Sequence, residues 1–309
     1  MSDNICAPKK YDSKNNTCFT LNELVELVGA YNRHLTKTMF GPNNEIGGSD
    51  NKNETISLIK IKKNKAYLLK ELLKRFNNVC GNDESCITKQ DFMNEIVKEM
   101  REDFDKKIFR SIGPVKSTEW LSNDDIDNIL SQYENVYPDF KFLGAVPSNC
   151  SDLSFCQLFK LDYNKFLKDN INQLAIVFNL DVYGQPGSHW VALYINIKNG
   201  EIYFCDSNGH EPIENIQKVI DVFIKYYTKK FEHVPIYKHN PNSYQTDNSE
   251  CGIYSCNFII RKLAGEKFDA IINNALTFKE INACRNIYFR NKPSKYKPNN
   301  KCDPQKNNS

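Results

Sequence analysis

The chain's 309 residues are enough for one large domain or two ordinary ones, and a content of 40% hydrophobic and 26% charged residues supports a packed core and excludes wholesale disorder. Lysine and arginine (41) barely exceed aspartate and glutamate (38), and a formal charge of +3 does not by itself imply a nucleic-acid partner. No apolar run approaches the roughly 18 residues of a membrane span, and Met1–Tyr11 is polar without a signal-peptide core, so the sequence reads as soluble, unsecreted and without a membrane partner.

The first predicted element is a helix. Thr20 and Glu23 form a capping-box signature, and Leu24, Leu27, Val28 and Tyr31 follow on one face. Gly41–Glu54, with Gly47, Gly48 and many Asn and Asp, reads as a mobile loop. Ile56–Asn77 reads as a second helix, apolar along Leu68, Leu69, Leu72 and Leu73. Its other face carries Lys60, Lys62, Lys63, Lys65, Lys70, Lys74 and Arg75. Such a charged face is usually only solvated; the alternative is a weak contact of the Lys60–Arg75 helix with nucleic acid. A third helix is predicted over Lys89–Phe109. This first stretch holds no catalytic constellation and reads as a helical accessory region over 1–115.

A different style begins after Gly113 and Pro114. Trp120 and Leu121 precede Ser122, a helix cap with Asp125 three residues on, and Ile126, Ile129, Leu130 and Tyr133 line one face. Leu174–Leu180 and His189–Ile197 read as strands, Asn199-Gly200 as a hairpin turn and Ile202–Asp206 as the return strand. A helix over Glu214–Lys230, a strand over Val234–Lys238 and a buried helix over Gly252–Leu263 complete an α+β domain over 116–291, a central mixed sheet flanked by helices. Residues 292–309 have almost no apolar side chains and read as a disordered basic tail.

Eleven cysteines are an odd, scattered set, which fits reduced thiols in a cytosol-like compartment better than a disulfide scaffold. Cys80/Cys86 and Cys150/Cys156 are too widely spaced for a zinc knuckle, so no metal or cofactor is expected.

One group of residues carries chemistry. Cys251 stands just before an apolar helix, where unpaired N–H groups and a partial positive charge favour a thiolate. Gly252 removes a side chain where a substrate backbone has to come close. His189 stands at the mouth of a strand and is the natural base, ahead of His34, His210, His233 and His239. Asp206, at the end of the return strand, suits the role of orienting the imidazole, with Asn208 as a substitute. Parity places Asp206 on the same sheet face as His189, but a two-residue turn leaves them four residues apart along the strand, roughly 13 Å. Gln245 can donate an amide hydrogen to an oxyanion beside a backbone N–H near Cys251.

The order His-Trp, then Asp seventeen residues after the His, then Gln, then Cys-Gly six residues after the Gln resembles the SUMO-specific and adenovirus-type cysteine proteases. Within that superfamily it is most similar to the thiol proteases of giant DNA viruses of the mimivirus type. The likeness runs from about Lys116 to Asn291 and includes Trp120-Leu121. It implies a papain-like core in which Cys251 is the nucleophile, His189 the base, Asp206 its orienting acid and Gln245 the oxyanion donor. Trp190 and Gly252 would then contact substrate, with Trp190 walling a cleft that admits only Gly-like residues. The expected function is an endopeptidase that cleaves after small residues in viral structural precursors, in the viral factory of the host cytoplasm and in the virion. The rival readings are a deconjugating isopeptidase for a ubiquitin-like modifier, an acetyltransferase with a similar site, and an inactive nucleic-acid-binding scaffold.

Overall fold

The computed structural model describes residues 5–11, 17–40, 57–156 and 158–304, and it divides into two compact units, Met1–Arg110 and Ser111–Ser309. The loop expected over Gly41–Glu54 lies outside the described residues.

In the first unit, α1 (Leu21–Phe40) starts at the expected box. The Thr20 N–H donates to Glu23 Oε2 at 2.7 Å and the Glu23 N–H to Thr20 Oγ1 at 3.3 Å. Leu24, Leu27, Val28 and Tyr31 enter a core with Ile59, Leu68, Leu72, Phe92 and Met93. The helix expected from Ile56 begins only at α2 (Lys65–Arg75), because the Asn64 side chain caps it through the Tyr67 N–H. Upstream, the Asn32 side-chain amide satisfies both backbone groups of Ile59, so that segment stays extended. Short helices α3 (Asn77–Cys80) and α4 (Glu84–Ile87) follow.

The helix expected over Lys89–Phe109 is broken. A 3₁₀ turn at Asp91–Glu95 is followed by extended backbone at Ile96 and Val97 (ψ 139° and 145°), then α5 (Lys98–Asp103) and a π turn at Phe104–Ile108. The break lets Phe92, Met93, Ile96, Phe104 and Ile108 all reach one core.

The second unit is α+β. Its five strands are β1 (Phe140–Pro147), β2 (Gln173–Asn179), β3 (Trp190–Asn196), β4 (Glu201–Cys205) and β5 (Ile236–His239), in that spatial order. The outer pairs are parallel and the two inner pairs antiparallel. Both faces are covered, so β2 and β3 are almost wholly buried and read as continuous apolar runs. Ala175, Val177, Trp190 and Ala192 pack with α6 (Asn123–Ser131), α9 (Cys251–Leu263), α10 (Phe268–Asn273) and α11 (Phe278–Tyr288). Ile176, Phe178, Val191 and Leu193 pack with α7 (Tyr163–Lys168) and α8 (Glu214–Phe231).

Two expectations are corrected. Eight cysteines stand as disulfides, Cys6–Cys18, Cys80–Cys86, Cys150–Cys156 and Cys284–Cys302, rather than as reduced thiols. Partners close in sequence are brought to Cα separations of 5.0–5.4 Å, within bridging range. Residues 292–304 are not a disordered tail. Cys302 and Ser294 are buried, and Asn257 and Tyr288 donate to the backbone carbonyls of Lys301 and Cys302. A few anchors replace the apolar content that the segment lacks. Among the described residues no helix is long and apolar enough to cross a membrane, and no cluster of side chains could hold a metal ion.

Candidate active site

The β3–β4 hairpin decides whether His189 and Asp206 meet. Asn196 pairs with Glu201, so the turn spans four residues, 197–200, instead of two. The Asn199 N–H bonds back to Asn196 Oδ1, and Gly200 takes φ +64°, which glycine adopts without strain. The register therefore slides. Ala192 faces Cys205, which brings Asp206 opposite Val191, two residues from His189, roughly 7 Å along the strand. Side-chain reach covers that distance, and His189 Nε2 lies 2.5 Å from Asp206 Oδ1.

Asp206 is buried and held from several sides. Its backbone N–H and C=O are both bonded to the Asn240 side chain. Its carboxylate accepts the backbone N–H groups of Asn208 and His210 as well as the two histidine rings. Burial alone raises a carboxyl pKa, but the hydrogen bonds from His189 and the backbone outweigh it and hold Asp206 below the usual range.

With Nε2 engaged by Asp206, Nδ1 is the ring nitrogen left for a second partner, and Cys251 lies near enough to act on the protonation of the His189 ring. Burial pulls the imidazole pKa down. Interactions with Asp206 and Cys251, and their negative charge, overcome that pull and raise it to about 9. Burial pushes the other two free cysteines up, Cys205 to about 12 and Cys256 well above the ordinary thiol value, which disfavours their thiolates.

Cys251 is the first residue of α9, and the Glu250 side chain before it does not cap the helix. The first N–H groups of a helix have no intrahelical acceptor, so they remain as donors at the start of α9, where Cys251 stands. Gln245 stands six residues before Cys251, in the loop that leads into α9. Its Oε1 accepts from Ser207 Oγ at 2.6 Å, and Nε2 donates one hydrogen to the Asp247 carbonyl at 2.8 Å, leaving the second free.

At Gly252 a Cβ would lie 3.1–3.2 Å from the Leu121 side chain, so the missing side chain makes room for Leu121. Leu121 in turn accepts the Trp190 indole N–H on its carbonyl at 3.0 Å. Trp190 is itself buried, and together with half-exposed Trp120 it lines a cleft of about 420 Å³ whose other walls include Asp181, Tyr183 and Ser188.

The competing histidines lie elsewhere or play another part. His34 is on α1 in the first unit, His233 packs on Tyr227 and His239 lies 4.0 Å from Glu211. His210 instead touches the second oxygen of Asp206. Sequence reasoning missed Ser207, Asn240 and Asp247 and weighed His210 only as a competing base, since none has a spacing that signals its contact.

The residues brought together are of the types that a thiol nucleophile, a base and a third group orienting that base require. The family model described as "Ulp1 protease family, C-terminal catalytic domain" matches residues 162–294. A protein of Acanthamoeba polyphaga mimivirus named as a "putative thiol protease" is 54% identical over 303 residues, covering 97% of this chain and 98% of the relative. A cysteine protease of African swine fever virus is 24% identical over 244 residues, 72% of this chain and 88% of its own. The crystal structure of the African swine fever virus protease superposes with a TM-score of 0.60 at 18% identity, covering 94% of this chain and 96% of that one, and so shares the fold. The chain belongs to the Ulp1 protease family and is a cysteine protease.

Proposed function

We propose that the chain is an endopeptidase that cleaves after small residues, glycine above all, and so processes viral structural precursors. The observation that carries this reading is the cleft lined by Trp120 and by Ser188 and Trp190, the two chain neighbours of His189, where the indole rings would restrict the residue that precedes the cut. The 54% identical mimivirus relative supports a viral setting.

In the proposed reaction the Cys251 thiolate, with its proton on His189, attacks the carbonyl carbon of the small residue. The free hydrogen on Gln245 Nε2 and the Cys251 N–H stabilise the oxyanion. Collapse breaks the C–N bond as His189 protonates the leaving amine. Water, losing a proton to His189, then hydrolyses the thioester, and the thiolate–imidazolium pair is restored.

The test is incubation of the full chain and its Cys251→Ala variant with precursor proteins and with Gly-Gly-X peptides, followed by mass spectrometry of the new termini. Cuts after Gly that disappear in the variant are expected. Cutting by the variant, indifference to Gly→Leu replacement, or cleavage confined to lysine-linked ubiquitin-like conjugates would overturn the proposal. A secondary, weak contact with nucleic acid draws on Lys70, Lys74 and Arg75, which line one cleft of about 560 Å³ on the first unit; affinity that falls steeply with added salt is the expected signature.

A further inference from the structure

The residue before Cys251 is an acid buried to zero exposure. Glu250 Oε2 accepts from Arg285 Nε at 2.9 Å, and neither side chain is exposed. Oε1 accepts from Asn282 Nδ2 at 3.0 Å and from Ser249 Oγ at 3.2 Å. Arg285 and Asn282 both stand on α11 and are tied down in turn. Arg285 Nη2 donates to the Glu119 carbonyl at 2.8 Å, Asn282 Nδ2 also donates to the Ser117 carbonyl, and Asn282 Oδ1 accepts from Ser294 Oγ.

A buried ion pair is weak evidence for stability, since an apolar pair of the same shape often does as well. Its location suggests another purpose. Glu250 occupies the N-cap of α9, where an acidic side chain ordinarily bonds to the first-turn N–H groups. Here it makes no such bond. The carboxylate is turned away, toward α11. If it turned back, it would occupy the first-turn donors and place a negative charge beside Cys251.

We propose that Arg285 and Asn282 are positioning residues for the nucleophile: by clamping Glu250 to α11 they keep its carboxylate off the first turn of α9. The inference rests on Cys251 being the nucleophile. The other charged groups around this turn are His189 and Asp206 from the sheet, Asp247 from the preceding loop and Glu280 from α11. All four remain in every variant below and do not carry the difference.

The two roles of the pair separate by non-additivity. Arg285→Met frees the carboxylate and should lower kcat by roughly tenfold or more, a lower bound on the effect of one unpaired charge a few ångströms away at the effective dielectric of a protein. KM should change little. The pH at which iodoacetamide alkylates Cys251 at half its maximal rate, followed on the Cys251 peptide by mass spectrometry, should rise. Glu250→Gln removes the offending charge, so the double variant Glu250→Gln/Arg285→Met should regain most of the lost kcat and return the alkylation midpoint toward that of the parent. A merely structural pair would instead give a double variant as poor as, or poorer than, the worse single.

Asn282→Ala removes the second clamp and should show the same shift in smaller degree, again relieved by Glu250→Gln. It keeps the test open if Arg285→Met does not fold. Failure of Glu250→Gln to relieve either variant, or an unmoved alkylation midpoint, overturns the proposal. Residual cleavage by Cys251→Ala under the same conditions would instead overturn the nucleophile assignment on which it rests.

Discussion

The Oδ2 oxygen of Asp206 lies 3.1 Å from Nδ1 of His210, so this one buried carboxylate meets a second histidine besides His189. The two contacts are unequal. The His189 side chain is 12% exposed and that of His210 is 73% exposed, so solvent screens the second contact and its net contribution is small. The Asn208 and His210 N–H groups and the Asn240 amide already fix Asp206 without the His210 ring. Replacing Asp206 by Ala should therefore cost up to about 10⁴-fold in kcat, the loss seen when the orienting acid of a triad is replaced. His210→Ala should stay within about threefold, the effect of an exposed ion pair. Steady-state kinetics of the two variants would reject this ranking if they proved equally crippled.

The raised pKa of His189 also ties folding to pH. Its folded value of about 9 lies above the roughly 6.5 of an unfolded histidine. The stabilisation is fully present below pH ~6.5 and is lost as pH rises through about 9. The full effect is on the order of 3 kcal/mol, shared with Cys251 and Asp206 as the groups that hold the proton there. Asp206 runs the other way: its pKa is depressed, so its contribution is present above the ordinary carboxylate value and is lost as pH falls through the folded one. Urea unfolding of the parent chain should show stability declining from pH 6.5 to 9.5, and His189→Ala should flatten that decline. An equal decline in the variant would place the coupled proton on another group.

Much of the site was readable before the fold because its residues sit at element ends that local chemistry marks. The apolar run after Cys251 announces a buried helix, and the parity of His189 and Asp206 on one sheet face follows from the two-residue period of a strand. What could not be read was the register. The two-residue turn expected at Asn199-Gly200 became a four-residue one because the Asn196 side chain claims the Asn199 N–H, a choice that no apolar pattern records. β1 was missed because its exposed and half-buried positions blur the alternation. Gly252 shows the limit of reading one residue at a time: its neighbour Leu121 is 131 positions away. The disulfides were illegible for the same reason, since an odd cysteine count says nothing about which Cα atoms approach one another.

The bridge between Cys284 and Cys302 ties α11 to the C-terminal segment that also meets Tyr133, Asn257 and Tyr288. It closes a loop across a sequence separation of 18, for which the loss of unfolded-state entropy corresponds to about 3 kcal/mol. Cys284→Ala/Cys302→Ala should lower the urea midpoint of the second unit accordingly. A reductant should destabilise the parent chain more than this variant. Equal sensitivity to reductant would show that the bridge contributes nothing to the folded state.

Gly252 offers the sharpest test of how the site is packed. Cβ, Cγ and Cδ1 of Leu121 all come within 3.2 Å of where a Cβ on residue 252 would stand, and both residues are buried. That is closer than ordinary van der Waals contact, so Gly252→Ala should force Leu121 aside and cost about 1–3 kcal/mol as an overpacked core position. The displacement would travel further, because the Leu121 carbonyl holds the Trp190 indole and Trp120 is its chain neighbour in the cleft wall. Cleavage should therefore fall along with stability. Leu121→Ala in the Gly252→Ala background opens the space again and should recover stability relative to Gly252→Ala alone, a coupling of opposite sign to two independent losses. If Gly252→Ala instead leaves stability unchanged and raises only KM, the bare backbone serves the substrate and not Leu121.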